Sequence, residues 1–198
     1  MSERIQALCA RAKEGDSDAA SELIALTYER IYAYLRRLSG SDEDAADLTQ
    51  KTFFKAWVSL ASYEGRSSFS TWLHGIAHHV YVDWRRKQNR NLPQTGEWWE
   101  TLSAETNGPF QDTAERDIAA RLFAVVERME ATMREIIHLH YYQGLSIAET
   151  SEALGIATST VKYRLRGALD QLRARIEKPL PVGLIRSTPN QSTTEANL

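Results

Sequence analysis

A capped turn between two helical segments constrains this chain more than any other feature. Ser146 stands where a helix N-cap belongs, and Glu149 follows three residues later, as a capping box requires. Ile147, Ala148, Ala153 and Leu154 are spaced to form one apolar face. Gly155 supplies the left-handed turn, where a Cβ would be strained. A second helix begins with Thr158, Ser159 and Thr160. It carries Lys162, Tyr163, Arg164 and Arg166 beside the apolar Val161, Leu165 and Leu169. A helix apolar on one side, with hydroxyl, basic and aromatic groups on the other, suits a DNA major groove. An ordinary helical hairpin with a solvated charged face fits the same residues. The order of cap, turn glycine and basic helix favours the groove reader.

Composition narrows what surrounds this hairpin. The 198 residues allow one domain or two small ones, and an apolar content of 42% is enough for compact cores. The net charge of -2 excludes a uniformly basic nucleic-acid coat, so DNA contact has to come from local patches. The single cysteine, Cys9, excludes an intramolecular disulfide framework and a multi-cysteine zinc site. The N-terminus is polar and mixed in charge, unlike a secretory leader. No apolar run approaches membrane-spanning length. A protein of a reducing cytoplasm is expected.

Helical periodicity falls into two blocks. Asp16 to Leu38 reads as a helix, with Leu23, Ile24, Leu26, Ile31, Tyr34, Leu35 and Leu38 at helical spacing and Gly40 after it. Ser41 caps the next helix, which runs to about Ala61 with Asp42, Glu43 and Asp44 in its first turn. A loop, Tyr63 to Ser67, leads to a third helix from about Phe69 to Asn89, capped by Ser67 or Ser68 and ending in Arg85, Arg86, Lys87 and Arg90. From Pro93 to Thr113 no period persists, and Glu97, Glu100, Glu105 and Asp112 make the stretch an acidic linker. The second block, from about Ala114 to Ile176, has a helix with Ile118, Leu122, Val125, Val126 and Met129. A further helix carries Met133, Ile136, Ile137 and Leu139, and the hairpin follows. The Pro- and Ser/Thr/Asn/Gln-rich tail after Lys178 reads as disordered. The predicted fold is all-α: two small helical domains joined by a flexible linker, the C-terminal one a four-helix helix-turn-helix domain.

The first block is rich in aromatic residues: Phe53, Phe54, Trp57, Tyr63, Phe69, Trp72, Tyr81 and Trp84. Rings beside basic groups can stack on unpaired bases at roughly 1–3 kcal/mol per base, although rings of this kind are more often core. His74 and His78 have a spacing zinc can use, but no third ligand stands at a matching interval, so no metal and no cofactor are expected. His138 and His140 are expected at the surface. Neither a glycine-rich phosphate loop nor a nucleophile elbow occurs, and catalysis is not expected.

Taken together these segments resemble the bacterial extracytoplasmic-function (ECF) sigma factors, over most of residues 16–176. Ala46-Asp47-Leu48-Thr49-Gln50-Lys51-Thr52-Phe53 is similar to the family's Asp-Leu-Val-Gln-Glu-Thr-Phe segment. Tyr63-Glu64-Gly65-Arg66-Ser67-Ser68-Phe69-Ser70-Thr71-Trp72-Leu73 resembles its Phe-Arg-Gly-x-Ser-Ser-Phe-x-Thr-Trp-Leu. Gly144-Leu145-Ser146, Leu154-Gly155-Ile156 and Ser159-Thr160-Val161-Lys162-Tyr163-Arg164-Leu165 resemble its final helix-turn-helix. Lys51 departs from the usual Glu, Tyr163 from Ser and Ser159 from Gly. His78 and His79 stand where Arg and Asn are common, and the segment Met129 to Thr132 lacks the usual Leu-Pro.

The resemblance implies a sigma region 2 domain over 1–92, an acidic linker over 93–113, a region 4 helix-turn-helix domain over 114–177 and a disordered tail over 178–198. It implies docking on core RNA polymerase through Asp47, Leu48, Gln50, Lys51, Phe54 and Trp57. The promoter minus-ten element would be engaged by Tyr63, Arg66, Ser67, Trp72, His78, His79, Arg85 and Arg86. The minus-thirty-five element would be read by Thr158, Ser159, Thr160, Lys162, Tyr163, Arg164 and Arg166. The acidic linker would thread polymerase channels, its carboxylates imitating phosphates; a merely solvated tether fits the same composition. An anti-sigma factor is the further expected partner, with no small-molecule substrate and no membrane insertion. Two rival readings are a dimeric helix-turn-helix regulator of palindromic duplex and a helical adaptor that binds no DNA.

Overall fold

A computed structural model describes residues 2–91 and 122–176. The expected acidic linker and C-terminal tail, and Ile118, lie outside the described residues. Those residues are helical, with no strand among them. The helices are α1 (Ser2–Lys13), α2 (Ser17–Ser39), α3 (Asp42–Ser59), α4 (Phe69–Asn91), α5 (described over 122–127), α6 (Ala131–Ile137), α7 (Ile147–Leu154) and α8 (Thr158–Ile176). A short 3-10 turn, Leu60–Ser62, follows α3, and one turn of π-helix, His138–Tyr142, follows α6.

Local chemistry sets the helix boundaries. The Asp16 carboxylate accepts from the backbone N–H of Asp18 and Ala19 and starts α2, and Gly40, at φ 77°, ends it. The amide of Ala19, then Arg11, hold the Asp16 carboxyl below its ordinary range. The Ser41 hydroxyl caps α3 through Asp44 N–H. Ser68, the latter of the two expected serines, caps α4, accepting from Thr71 N–H at 3.1 Å.

Helix α1 was not foreseen from the sequence. Its apolar residues are few, but Leu8, Cys9 and Ala12 are each 4% exposed and seat it on the first block. Ile31, Tyr34, Leu35, Leu48, Leu73 and Tyr81 form the centre of that block. Burying a leucine of this kind contributes about 1.5–3 kcal/mol. Thr27 and Thr52, buried in helices, donate their hydroxyls to the carbonyls of Leu23 and Leu48 four residues earlier, so neither is left unpaired. In the second block α6, α7 and α8 close around Ile136, Leu139, Leu154, Val161 and Ala168. The buried apolar residues of both blocks belong to one cluster, because α7 lies against α4.

Candidate nucleic-acid and partner interfaces

Helix α3 has two unlike faces. Ala45, Leu48, Thr49, Thr52 and Ala56 point into the core. On the other side Phe54 is 69%, Trp57 50% and Val58 68% exposed, an apolar surface in water. Asp47, Gln50 and Lys51 are exposed beside it, and Lys51 pairs with Asp47 one turn away. Leu48 corrects the sequence reading. It is fully buried, so it holds α3 in place and offers a partner nothing. Ile24 and Tyr28 of α2 are exposed. Phe53, stacked 6.0 Å from Tyr28, helps line a shallow apolar groove with Ile24 and Trp57. The sequence reading had placed Ile24 in a core-facing pattern and had not singled out Val58.

The loop before α4 is a second correction. Tyr63 is 8% exposed, and its ring lies 4.9 Å from that of Trp72 and 5.8 Å from that of Phe69. Its hydroxyl donates to the Ser67 carbonyl at 2.7 Å, and its carbonyl accepts from Lys13. Tyr63 is the anchor of the loop rather than its reading surface. Arg66 stays exposed, paired with Glu64, and Ser67 and Trp72 are half-buried.

Along α4 the expected residues diverge. His79 and Arg86 are exposed, and Arg85 is half-buried. His78 faces the second block, its Nδ1 3.1 Å from Oε2 of Glu135, a carboxylate only 5% exposed. These two residues and both arginines line an open cleft of about 410 Å3 between the blocks. His74 and His78 do not converge. The Nδ1 of His74 lies 2.7 Å from the Ser70 carbonyl, and burial pushes its pKa down to about 4.

The helix-turn-helix forms as the spacing predicts. Ser146 and Glu149 make the reciprocal capping box, and Gly155 takes φ 64°. Thr158, Ser159, Lys162, Tyr163 and Arg166 are exposed, with Tyr163 at 77%. Thr160 and Arg164 are half-buried, and Arg164 pairs with Glu130 of the second block. Two apolar assignments change. Ala148 and Leu169 are exposed, while Thr150 and Ala168 are buried in their place. Both changes follow from α7 being clasped between α4 and α8, which moves its buried stripe round by part of a turn.

His138 is a third correction. It sits in the π turn, fully buried, and burial, with Arg37 and Arg134 nearby, pushes its pKa down to about 3. The turn arises where Gln143 N–H reaches back five residues to the His138 carbonyl at 2.9 Å. His140 is half-buried, its Nδ1 2.7 Å from the Leu145 carbonyl.

Comparison with known proteins agrees with this division. The Sigma-70 region 2 family matches residues 23–91, and the Sigma-70 region 4 family matches residues 119–172. The ECF RNA polymerase sigma factor SigF of Caulobacter vibrioides is 30% identical over 179 residues, which cover 88% of this chain and 95% of SigF. SigE of Mycolicibacterium smegmatis is 31% identical over 79% of this chain, and the match spans 61% of SigE. Among solved structures, the sigma factor RpoE of Bartonella quintana superposes with a TM-score of 0.65 at 24% identity, covering 79% of this chain and 95% of RpoE, and shares the fold. Two sigma family matches in order on one chain, and a relative matched over nearly its whole length, make this protein a member of the ECF RNA polymerase sigma factors.

Proposed function

We propose that the chain acts as an alternative sigma factor through three surfaces: the exposed face of α3 on core RNA polymerase, the loop before α4 with the face of α4 on the minus-ten element, and the start of α8 on the minus-thirty-five duplex. The observation that carries this reading is the exposed apolar face of Phe54, Trp57 and Val58 on α3. A duplex-binding regulator has no need of it, whereas a subunit that works only when mounted on a large partner does. Asp47, Gln50 and Lys51 surround it and set the polar rim.

On α8, Thr158 and Ser159 offer hydroxyls and helix-start amides to phosphate, and Lys162, Tyr163 and Arg166 reach base edges and backbone. On the first block Arg66, Ser67, Trp72, His79, Arg85 and Arg86 form the minus-ten surface, and a pocket there offsets the few kcal/mol needed to unstack a base. No residue is assigned a covalent step, and the protein works in the cytoplasm, where its polymerase is. Among the described residues no helix is long and apolar enough to cross a membrane. The domain limits follow as 1–92, 93–113, 114–177 and 178–198.

An anti-sigma partner completes the proposal. The solved RpoE is in complex with the anti-sigma factor NepR. An apolar surface like that of α3 suits capture by such a partner. Run-off transcription with core polymerase on a fragment library tests the whole reading: discrete start sites are expected with the protein and none without it. A protein that neither co-elutes with core enzyme nor directs initiation defeats the proposal. A stable dimer bound to palindromic duplex would favour the regulator instead.

A further inference from the structure

The two blocks meet on α4, along the side that carries Ser68, Thr71, Gly75 and His78. Oε1 of Glu149 accepts from the Thr71 hydroxyl at 3.1 Å and from the Ser68 hydroxyl at 3.4 Å. That carboxylate therefore occupies the first turn of α4, where free amides and hydroxyls favour an anion. One turn further on, a Cβ on Gly75 would meet the backbone of Ala153 at 3.6 Å, so α4 and α7 cross at close range. Another turn on, His78 meets the buried carboxylate of Glu135. Arg30 of α2 adds a bond to the Gln143 carbonyl, and Arg37 lies 4.0 Å over the Tyr142 ring. The apolar face of α3 takes no part in this interface and stays open to solvent.

We propose that the second block is an intramolecular cover for the minus-ten surface, with Glu149 and Glu135 holding the places on α4 that promoter DNA takes up once the blocks part. The inference rests on the reading of α4 as the minus-ten surface. A carboxylate and a phosphate cannot share the seat made by Ser68 and Thr71, so engagement of the first block with DNA requires separation from α7. Because α3 remains exposed in the covered state, polymerase can dock first, and its binding energy can then drive opening. A differential affinity for the open form is all that such a shift requires. The cover makes the order of events polymerase first, promoter second.

A reversible lock tests this. Gly75→Cys with Ala153→Cys places two thiols at the helix crossing, and neither residue belongs to a proposed reading surface. Cys9 will not compete, being 4% exposed with its thiol pushed up to about 11 by burial. The double variant is expected to form a cystine in air. In that form it should give at least about tenfold less run-off transcript, with full recovery on reduction. A cross-linked protein that transcribes as well as its reduced form overturns the cover. So does a double variant that transcribes when reduced but never cross-links, because the blocks then do not meet at this crossing. If the wild-type chain directs no initiation under either condition, the promoter reading itself fails, and the cover with it.

Gly75→Leu provides the opposite probe. Leucine favours the helix more than glycine, so α4 is retained, while its side chain wedges against Ala153. The free variant should bind the single-stranded non-template segment of a run-off-defined promoter about tenfold more tightly than wild type. Equal affinity overturns the cover.

Discussion

Helices α4 and α8 are both long and both carry residues assigned to DNA, yet their surroundings differ sharply. Helix α4 is packed against α1, α2, α3 and α7, whereas α8 rests on α6 and α7 and leaves most of its first two turns free. On α4, core residues and reading residues share one helix: Leu73, His74 and Ala77 are buried between half-exposed Trp72 and exposed His79. On α8, Val161, Leu165 and Ala168 support the helix, and Lys162, Tyr163 and Arg166 are left for recognition. Recognition on α8 can therefore change without touching stability. Changes on α4 disturb the fold, the cover and the reading together.

Leucine truncation should expose the contrast most strongly. Leu73 is 1% exposed, and Leu73→Ala is expected to cost about 3 kcal/mol of stability in denaturant titration. Leu169 of α8 is 38% exposed, and Leu169→Ala should cost under about 1 kcal/mol. Equal losses would mean that α8 is as embedded as α4.

Acid comes next in size. The fold holds His74 neutral, with its pKa lowered from 6.5 to about 4, and His138 likewise, lowered to about 3. Both folded values lie below the unfolded one. Above pH 6.5 neither state takes up a proton and stability is complete. As pH falls below that, the unfolded chain binds protons first, and stability is lost until the folded values are reached. Near pH 5 the loss is about 2 kcal/mol per histidine. Calorimetry at neutral pH and near pH 5 checks it. His138→Leu should remove the share belonging to the second block and leave that of α4.

The sequence disclosed what is local. Asp16, Gly40, Ser41, Ser146 with Glu149, and Gly155 mark helix ends through bonds within a few residues, and the structure places the boundaries of α2, α3, α7 and α8 there. Helix α1 escaped notice because only Ile5, Leu8, Cys9 and Ala12 mark its buried side, among charged neighbours. Leu48 and Tyr63 were assigned to surfaces because the family motifs around them are contiguous. Burial, by contrast, alternates within each motif, with Leu48 turned inward beside exposed Asp47. His138 was expected outside because histidine is commonly half-exposed, and nothing in its neighbours signals a π turn. The contacts of Glu149 with Ser68 and Thr71 span some eighty residues and leave no periodic trace.

Tyr163 and Trp72 carry the comparison into binding. Tyr163→Ala removes a ring 77% exposed, so the melting temperature should not move, while the assembled holoenzyme should lose about tenfold in affinity for minus-thirty-five duplex. Trp72→Ala should leave that duplex affinity intact and reduce open-complex formation instead, with a lower melting temperature because its ring packs on Tyr63 and Phe69. Identical effects of the two substitutions would erase the division of labour between the helices.

The smallest effect concerns the one carboxylate that serves both helices. Oε2 of Glu149 accepts from Ser146 N–H at 2.9 Å, while Oε1 reaches Thr71 on α4. These bonds, above all that from Ser146, hold its pKa below the usual range. Ser146→Ala deletes the reciprocal bond from Glu149 N–H to the Ser146 hydroxyl but leaves both carboxylate contacts in place. The expected loss is about 1 kcal/mol, seen as a melting temperature lower by a few degrees. Cross-linking of the 75/153 pair should persist, because the bond that ties α7 to α4 does not involve the serine hydroxyl. If Ser146→Ala abolished the cross-link as well, the cap and the cover would be one structural unit, and α7 would need its helix start fixed before it could lie on α4 at all.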